Sequence, residues 1–230
     1  MSKVKIQHYV PQFYLEHFAN GNSQVWVFDK STGKSFLTHV KNIAGEGYFY
    51  DFKTAPGAQE EQKLEKMFAG LEDAFAPLFQ SIIGGITSGE IIELDQSYKN
   101  LISKFITMQI LRSNETREHN FQLMTGLRNS IIEKFGGTEA DLEANGLGAA
   151  QLDRKESHLH NVIMNIPARD AMDSALMNHI WVVFVNRSSL PFYTSDHPIA
   201  RMPHAQHPVL SMSGYNSEGI EIAFPISPTI

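Results

Sequence analysis

Between Leu64 and Ile82, the residues Leu64, Met67, Phe68, Leu71, Phe75, Leu78, Phe79 and Ile82 recur at intervals of three and four. That spacing puts them on one face of an amphipathic helix, and a helix with one apolar face must bury it against a second layer. The helix is expected to kink at Pro77 and to end at Gly84-Gly85. A second helical segment, Asp95 to Phe135, narrows the choice further. Leu101, Ile102, Phe105, Ile106, Met108, Ile110 and Leu111 make its first half apolar nearly all round, the composition of a helix at the centre of a domain. A break is expected near Ser113-Asn114. A third stretch, from Gln151 to Asn178, reads as helix bent around Pro167.

The remaining segments are β-prone or short. Pro11 to Asn20 reads as a short buried helix carrying Phe13, Tyr14, Leu15 and Phe18, with Gly21 as its left-handed cap. Gln24–Asp29 and Ser35–Val40 read as a β-hairpin joined through Gly33. The glycine-rich, acidic residues 136–148 read as an insertion. Ile180–Val185, a continuous apolar run of strand length, is expected to be a buried central strand paired with Phe192–Thr194, and Ile220–Phe224 a last strand. The architecture expected is α+β: a helical bundle of Gln59–Ile83, Asp95–Phe135 and Gln151–Met177 packed on a small, mainly antiparallel sheet. Residues 1–230 form a single domain in this reading, with an N-terminal helix and hairpin (1–50), a helical region (58–178) and C-terminal strands (179–230).

Composition removes several classes of function. The absence of cysteine excludes disulfides, thiolate nucleophiles and thiolate zinc sites. A formal charge of -6 with only 19 Lys and Arg leaves no surplus of cations for a long phosphate-binding surface, although a local basic patch fits. No apolar run approaches the roughly 18 residues of a membrane helix. With no secretory signal at Met1-Ser2-Lys3-Val4-Lys5, the expected location is the cytoplasm.

Three places carry residues suited to chemistry. His8-Tyr9-Val10-Pro11-Gln12 sets an imidazole before a helix N-terminus, where free N–H groups favour an anion; the bland alternative is a His8 bonded to a backbone carbonyl. Gln109 and Arg112 share a face of the central helix with Phe105 and Met108, and a buried guanidinium must be paired with a carboxylate or reserved for an anionic ligand. Nearby Glu115, Arg117 and Glu118 read as a solvated face. Thr194-Ser195-Asp196-His197-Pro198 follows a strand, where polar side chains would emerge at a sheet edge or simply form a turn. His158 and His160 lie two apart, so a shared metal is not expected, and His204 and His207 read as loop residues.

His8-Tyr9-Val10-Pro11-Gln12-Phe13-Tyr14-Leu15 with Phe18-Ala19, Gln109-x-x-Arg112, Phe192-x-Thr194-Ser195-Asp196-x-Pro198 and Phe224-Pro225-Ile226-Ser227-Pro228 resemble the domain of unknown function family 4238, a bacterial group without an assigned reaction. The resemblance spans the chain and singles out His8, Gln12, Arg112, Ser195 and Asp196. Glu16 departs from the family's frequent Arg and His197 from its frequent Asn. The resemblance also implies a further strand beyond the Pro-Ile-Ser-Pro segment, so this chain is expected to be a C-terminally truncated form.

Two functions from different classes fit. One is a hydrolase or nuclease-like effector acting on an anionic, phosphodiester-type substrate such as a small molecule or nucleic acid. There His8 is general acid or base, Asp196 orients it or holds a divalent metal, Arg112 stabilises developing charge, and Gln12, Gln109 and Ser195 contact substrate. The other is a non-catalytic binding or regulatory module that recognises an anionic ligand or a protein partner. Both rest on His8, Arg112 and Asp196 converging on one cleft. Oligomeric state is not encoded in any of these patterns.

Overall fold

In the computed structural model, which describes residues 4–51, 62–91, 93–148, 153–205 and 212–230, the apolar stripe lies on α2 (Lys63–Ser88), with Leu64, Phe68, Phe75, Phe79 and Ile82 buried. The expected helix starts at Gln59 and Gln151 lie outside the described residues. α2 does not end at Gly84-Gly85. Gly85 packs so tightly that an added Cβ would sit 2.5 Å from Ile91 Cδ1, and the helix runs on to Ser88 before Gly89 closes it at φ +80. A glycine inside a helix can mark close packing as readily as an end.

The long second segment is two helices, and the break falls where the sequence places it. α3 (Gln96–Arg112) starts at Asp95, whose side chain accepts from Tyr98 N at 2.9 Å. It stops at Ser113, whose hydroxyl accepts from Thr116 N at 3.1 Å and so caps α4 (Asn114–Phe135). Residues 136–148, expected as an insertion, contain α5 (Glu139–Ala144), opened by a Thr138–Asp141 capping box with Leu142 buried. The last helical stretch divides into α6 (Arg154–His158), a π-helical turn Leu159–Ile163, and α7 (Ile166–Asn178). Pro167 is thus not a bend within a helix; it stands in the first turn of α7, where its missing N–H has no partner to lose. α3 packs on α7, and α4 on α6.

Among the described residues the strands form three separate antiparallel ribbons rather than one sheet. β1 (Ile6–His8) pairs with β4 (Gly45–Gly47), β2 (Gln24–Asp29) with β3 (Lys34–His39), and β5 (Ala200–Pro203) with β6 (Ile220–Ala223). The hairpin matches expectation to within a residue; β1, β4 and β5 are too short to carry a periodic signal. Between β1 and β2, the N-terminal helix is only α1 (Gln12–Glu16), and the left-handed residue after it is Ser23 at φ 55, not Gly21.

The core is aromatic. Phe105 of α3 meets Phe79 (4.6 Å between ring centres) and Phe75 (5.2 Å) from α2, Phe13 from α1 (5.8 Å) and Phe224 just past β6 (5.8 Å). The nearly all-round apolar character of α3 follows from this central place. Arg117, expected on a solvated face, is buried with its guanidinium 3.9 Å from the centre of Phe49 and 3.0 Å from Glu46.

The run Ile180–Val185 corrects the expectation most. It belongs to no strand pair and is largely exposed: Ile180 is 93% exposed, Val182 65% and Phe184 70%, and Val183 and Val185 are exposed as well. Phe192–Thr194 is not its partner. Among the described residues, no helix is long and apolar enough to cross a membrane.

Candidate functional site

The N-terminal segment is gripped through its carbonyls. β1 lies so close to β4 that a Cβ on Gly45 would sit 3.0 Å from His8 Cδ2 and 3.1 Å from the Gln7 carbonyl oxygen, so any side chain there would crowd both. Tyr9 N then donates to the Ala44 carbonyl at 2.9 Å. Beyond this point Arg112 Nη2 donates to the His8 carbonyl at 2.5 Å, and Gln109 Nε2 to the Tyr9 carbonyl at 2.8 Å. Their spacing of three puts both donors on one face of α3.

Arg112 is occupied on every side. Nε donates to Tyr50 Oη at 3.0 Å, Nη1 pairs with Glu72 of α2 at 2.8 Å, and the guanidinium lies 4.4 Å from the centre of Phe68. Burial opposes the Arg112 charge, but Tyr50 and Glu72 outweigh it and raise its pKa. Tyr50 is pushed up to about 12 by burial, against the pull of Arg112. Glu65, two turns before Glu72, is pushed up to about 7, chiefly by burial; Arg112 opposes the rise, and Glu72 and Asp51 add to it. Glu72 is thus paired with the guanidinium, and Glu65 feels the charge of Arg112 without an ion pair to it. A cavity of about 10 Å³ adjoins them, lined by Phe68, Glu72, Phe105, Met108, Gln109 and Arg112; that is room for about one water. Gln109 Oε1 is buried there without a partner among the described residues.

His8 contributes its carbonyl to Arg112 and its ring elsewhere. Nε2 lies 3.1 Å from the Lys41 carbonyl and Nδ1 3.4 Å from Gln12 Nε2. A carbonyl can only accept, so Nε2 carries the hydrogen and Nδ1 accepts from Gln12. Burial lowers the His8 pKa, which keeps the ring neutral near pH 7.

The Thr194–Pro198 segment divides between core and surface. Ser195 Oγ donates to the His197 carbonyl at 2.7 Å and accepts from His197 N at 3.1 Å, closing a local turn. Asp196 is exposed and forms neither hydrogen bond nor ion pair with His8 or Arg112; its charge reaches Tyr9, whose phenol is raised by burial first and Asp196 second. His197 Nδ1 lies 3.4 Å from Glu115, with its pKa lowered by burial. Of the three groups expected to share a cleft, His8 and Arg112 meet through a carbonyl, and Asp196 is joined to neither by a hydrogen bond or ion pair among the described residues.

Tyr14, which the sequence marks only as core, joins the motifs. Its hydroxyl donates to the Pro225 carbonyl at 2.7 Å and accepts from Thr194 Oγ1 at 2.8 Å. The N-terminal motif is thereby tied to α3 through His8 and Tyr9 and to both C-terminal motifs through Tyr14. Glu65, Glu72 and Tyr50 were also missed. The signal for the two glutamates was present: Glu65, Phe68, Glu72 and Phe75 follow one another at three, four and three, so two acids stand in the buried stripe of α2. Among the described residues no group of three His, Asp or Glu is placed to hold a metal. His204 pairs with Glu221 at 3.0 Å, and His207 lies outside the described residues.

Away from this network, residues 180–185 and 192–195 belong to no strand pair among the described residues. Residues 180–185 make no backbone hydrogen bond among the described residues, and of 192–195 only Phe192 N does. The two segments bond a common turn instead of each other, Asn186 N donating to the Thr229 carbonyl at 2.7 Å and Phe192 N to the Pro228 carbonyl at 2.8 Å. On the second segment Phe192 and Thr194 face inward, while Tyr193 is 75% exposed.

Comparison with curated proteins and with solved structures gives no match. The model of one family, described as protein of unknown function (DUF4238), matches residues 6–230, and the chain, with its four motif segments locked into one network, belongs to that family.

Proposed function

We propose that this chain is a non-catalytic binding module that recognises a protein partner through the outward face of residues 180–193. One observation carries the proposal: Ile180, Val182, Phe184, Leu190 and Tyr193 expose large apolar side chains on two segments tied to the same turn at Pro228–Thr229, and a patch of that kind on a globular chain marks an interaction site. The state of Arg112 supports a protein over an anionic ligand. An anion at Arg112 would have to displace Glu72 and would meet the nearby Glu65, and the adjoining cavity has room for about one water.

A photocrosslinking p-benzoylphenylalanine placed at Val182, with the same residue at exposed Leu127 of α4 as control, tests this in the cells that make the protein. A discrete adduct from position 182 that is missing from 127 is the expected result. No adduct at 182, or the same adducts at both positions, would overturn it.

A hydrolase acting on an anionic substrate is the second reading, favoured by the neutral His8 ring with Nδ1 as its acceptor and by Glu65 held at about 7 beside Arg112. Paired acid and base groups are what general catalysis uses. Cleavage of phosphodiester substrates by the intact chain, lost in a folded His8→Ala variant, would establish it over the binding role.

A further inference from the structure

We propose that Asn20-Gly21 is a site of spontaneous covalent modification, at which the asparagine closes onto the glycine nitrogen and reopens as aspartate and isoaspartate. The chemistry needs a side-chain amide carbonyl, a following backbone N–H free to lose its proton to solvent, and no side chain to crowd the attack. The sequence holds two Asn-Gly steps, Asn20-Gly21 and Asn145-Gly146, and both asparagines are exposed. Composition and exposure do not separate them. Hydrogen bonding does.

At Asn145 the attacking nitrogen is already engaged. Gly146 N donates to the Glu143 carbonyl at 3.1 Å and Leu147 N to the Leu142 carbonyl at 2.8 Å, the paired bonds of a Schellman cap on α5. Asn145 Nδ2, the leaving group, donates to the Asp141 carbonyl at 2.7 Å.

Asn20 has the reverse pattern. Gly21 N donates to no group among the described residues, and a Cβ built on Gly21 would meet nothing within 4 Å. Asn20 Oδ1 accepts from Asn22 N at 2.9 Å and from Gln24 N at 3.1 Å. As Gly21 N attacks Cγ, negative charge gathers on Oδ1, where both donors already point; that is the arrangement that stabilises an oxyanion in acyl transfer. Nδ2 is held only by Gln24 Oε1 at 3.4 Å, a weak bond at that length.

Hydroxide from water takes the Gly21 N proton, the nitrogen bonds Cγ, and the Cγ–Nδ2 bond breaks, Nδ2 leaving as ammonia with a proton from water. Water then adds to the cyclic imide. Cleavage of its Cγ–N bond gives aspartate at position 20, and cleavage at the main-chain carbonyl gives isoaspartate. Either product adds a negative charge, and the second adds a carbon to the backbone between α1 and β2.

The test incubates the folded chain in mildly alkaline buffer and follows tryptic peptides 6–30 and 135–154, which carry the two steps, by mass spectrometry. Reaction at Asn145 must first break three hydrogen bonds that have no counterpart of equal strength at Asn20. Peptide 6–30 should therefore convert at least about tenfold faster, with fragmentation placing aspartate and isoaspartate at position 20. In guanidinium chloride the two rates should converge, through a rise at Asn145 rather than at Asn20. Gly21→Ala, which the open surroundings accept, sets a methyl group beside the attacking nitrogen and should slow conversion without changing the Tm. Equal rates in the folded chain, faster conversion at Asn145, or conversion at Asn22 instead would overturn the proposal. So would a Gly21→Ala chain that converts as fast as the parent.

Discussion

At Arg112, elementary electrostatics was legible and the identity of the partners was not. A guanidinium on an apolar helix face must be paired, and it is; but Glu72 lies forty positions upstream, and the other acceptors are a phenol and a carbonyl that no motif advertises. Arg112→Met keeps contact with Phe68 but strips Glu72, Tyr50 and the His8 carbonyl of their donor. It should destabilise by about 3–5 kcal/mol, read by urea unfolding. Glu65 behaves in the opposite way. Burial pushes its carboxyl up to about 7 from an ordinary 4.5, so the folded state holds the proton more tightly. The associated stability is fully present below pH 4.5 and is lost as pH rises through about 7. Glu65→Gln should therefore melt higher than the parent at pH 8 and not at pH 4.5. Solvent screening at a half-exposed carboxyl limits the gain to about 1 kcal/mol, or roughly 2–4 °C.

Among the elements, those with a full period to display were readable, and those fixed by a single close contact were not. The stripe on α2 and the Ser113 break between α3 and α4 follow from spacing and capping chemistry. Glycine defeats the same logic: Gly84 and Gly85 look alike in sequence, yet Gly85 packs against Ile91 while a Cβ at Gly84 would meet nothing within 4 Å. Gly84→Ala should accordingly stabilise by about 1 kcal/mol through helix propensity, whereas Gly85→Ala should destabilise because Ile91 must move. Thermal melts of the two single variants separate these outcomes. The continuous apolar run Ile180–Val185 reads as a buried strand, but nothing local to such a run reveals whether a neighbour lies beside it, and the expected pairing and burial failed for that reason. β1, β4 and β5 span three or four residues, below the length at which alternation can be told from chance.

Across the whole molecule, Tyr14 is the longest-range tie described, with Pro225 211 positions away and Thr194 180 away. Tyr14→Phe leaves the Pro225 carbonyl without that donor in a buried setting and should destabilise by about 1–3 kcal/mol. Amide exchange should rise together in α1 and in residues 224–226, while α4 keeps its protection; a uniform rise throughout would instead mean the tie is shared by the entire fold. That tie also sets a clock on biosynthesis. At about 5–20 residues per second, the ribosome needs roughly 10–40 s after making Tyr14 to reach Pro225, and for that interval the Tyr14 hydroxyl must wait without its last partner, even though α3 is already made and able to hold the His8 and Tyr9 carbonyls.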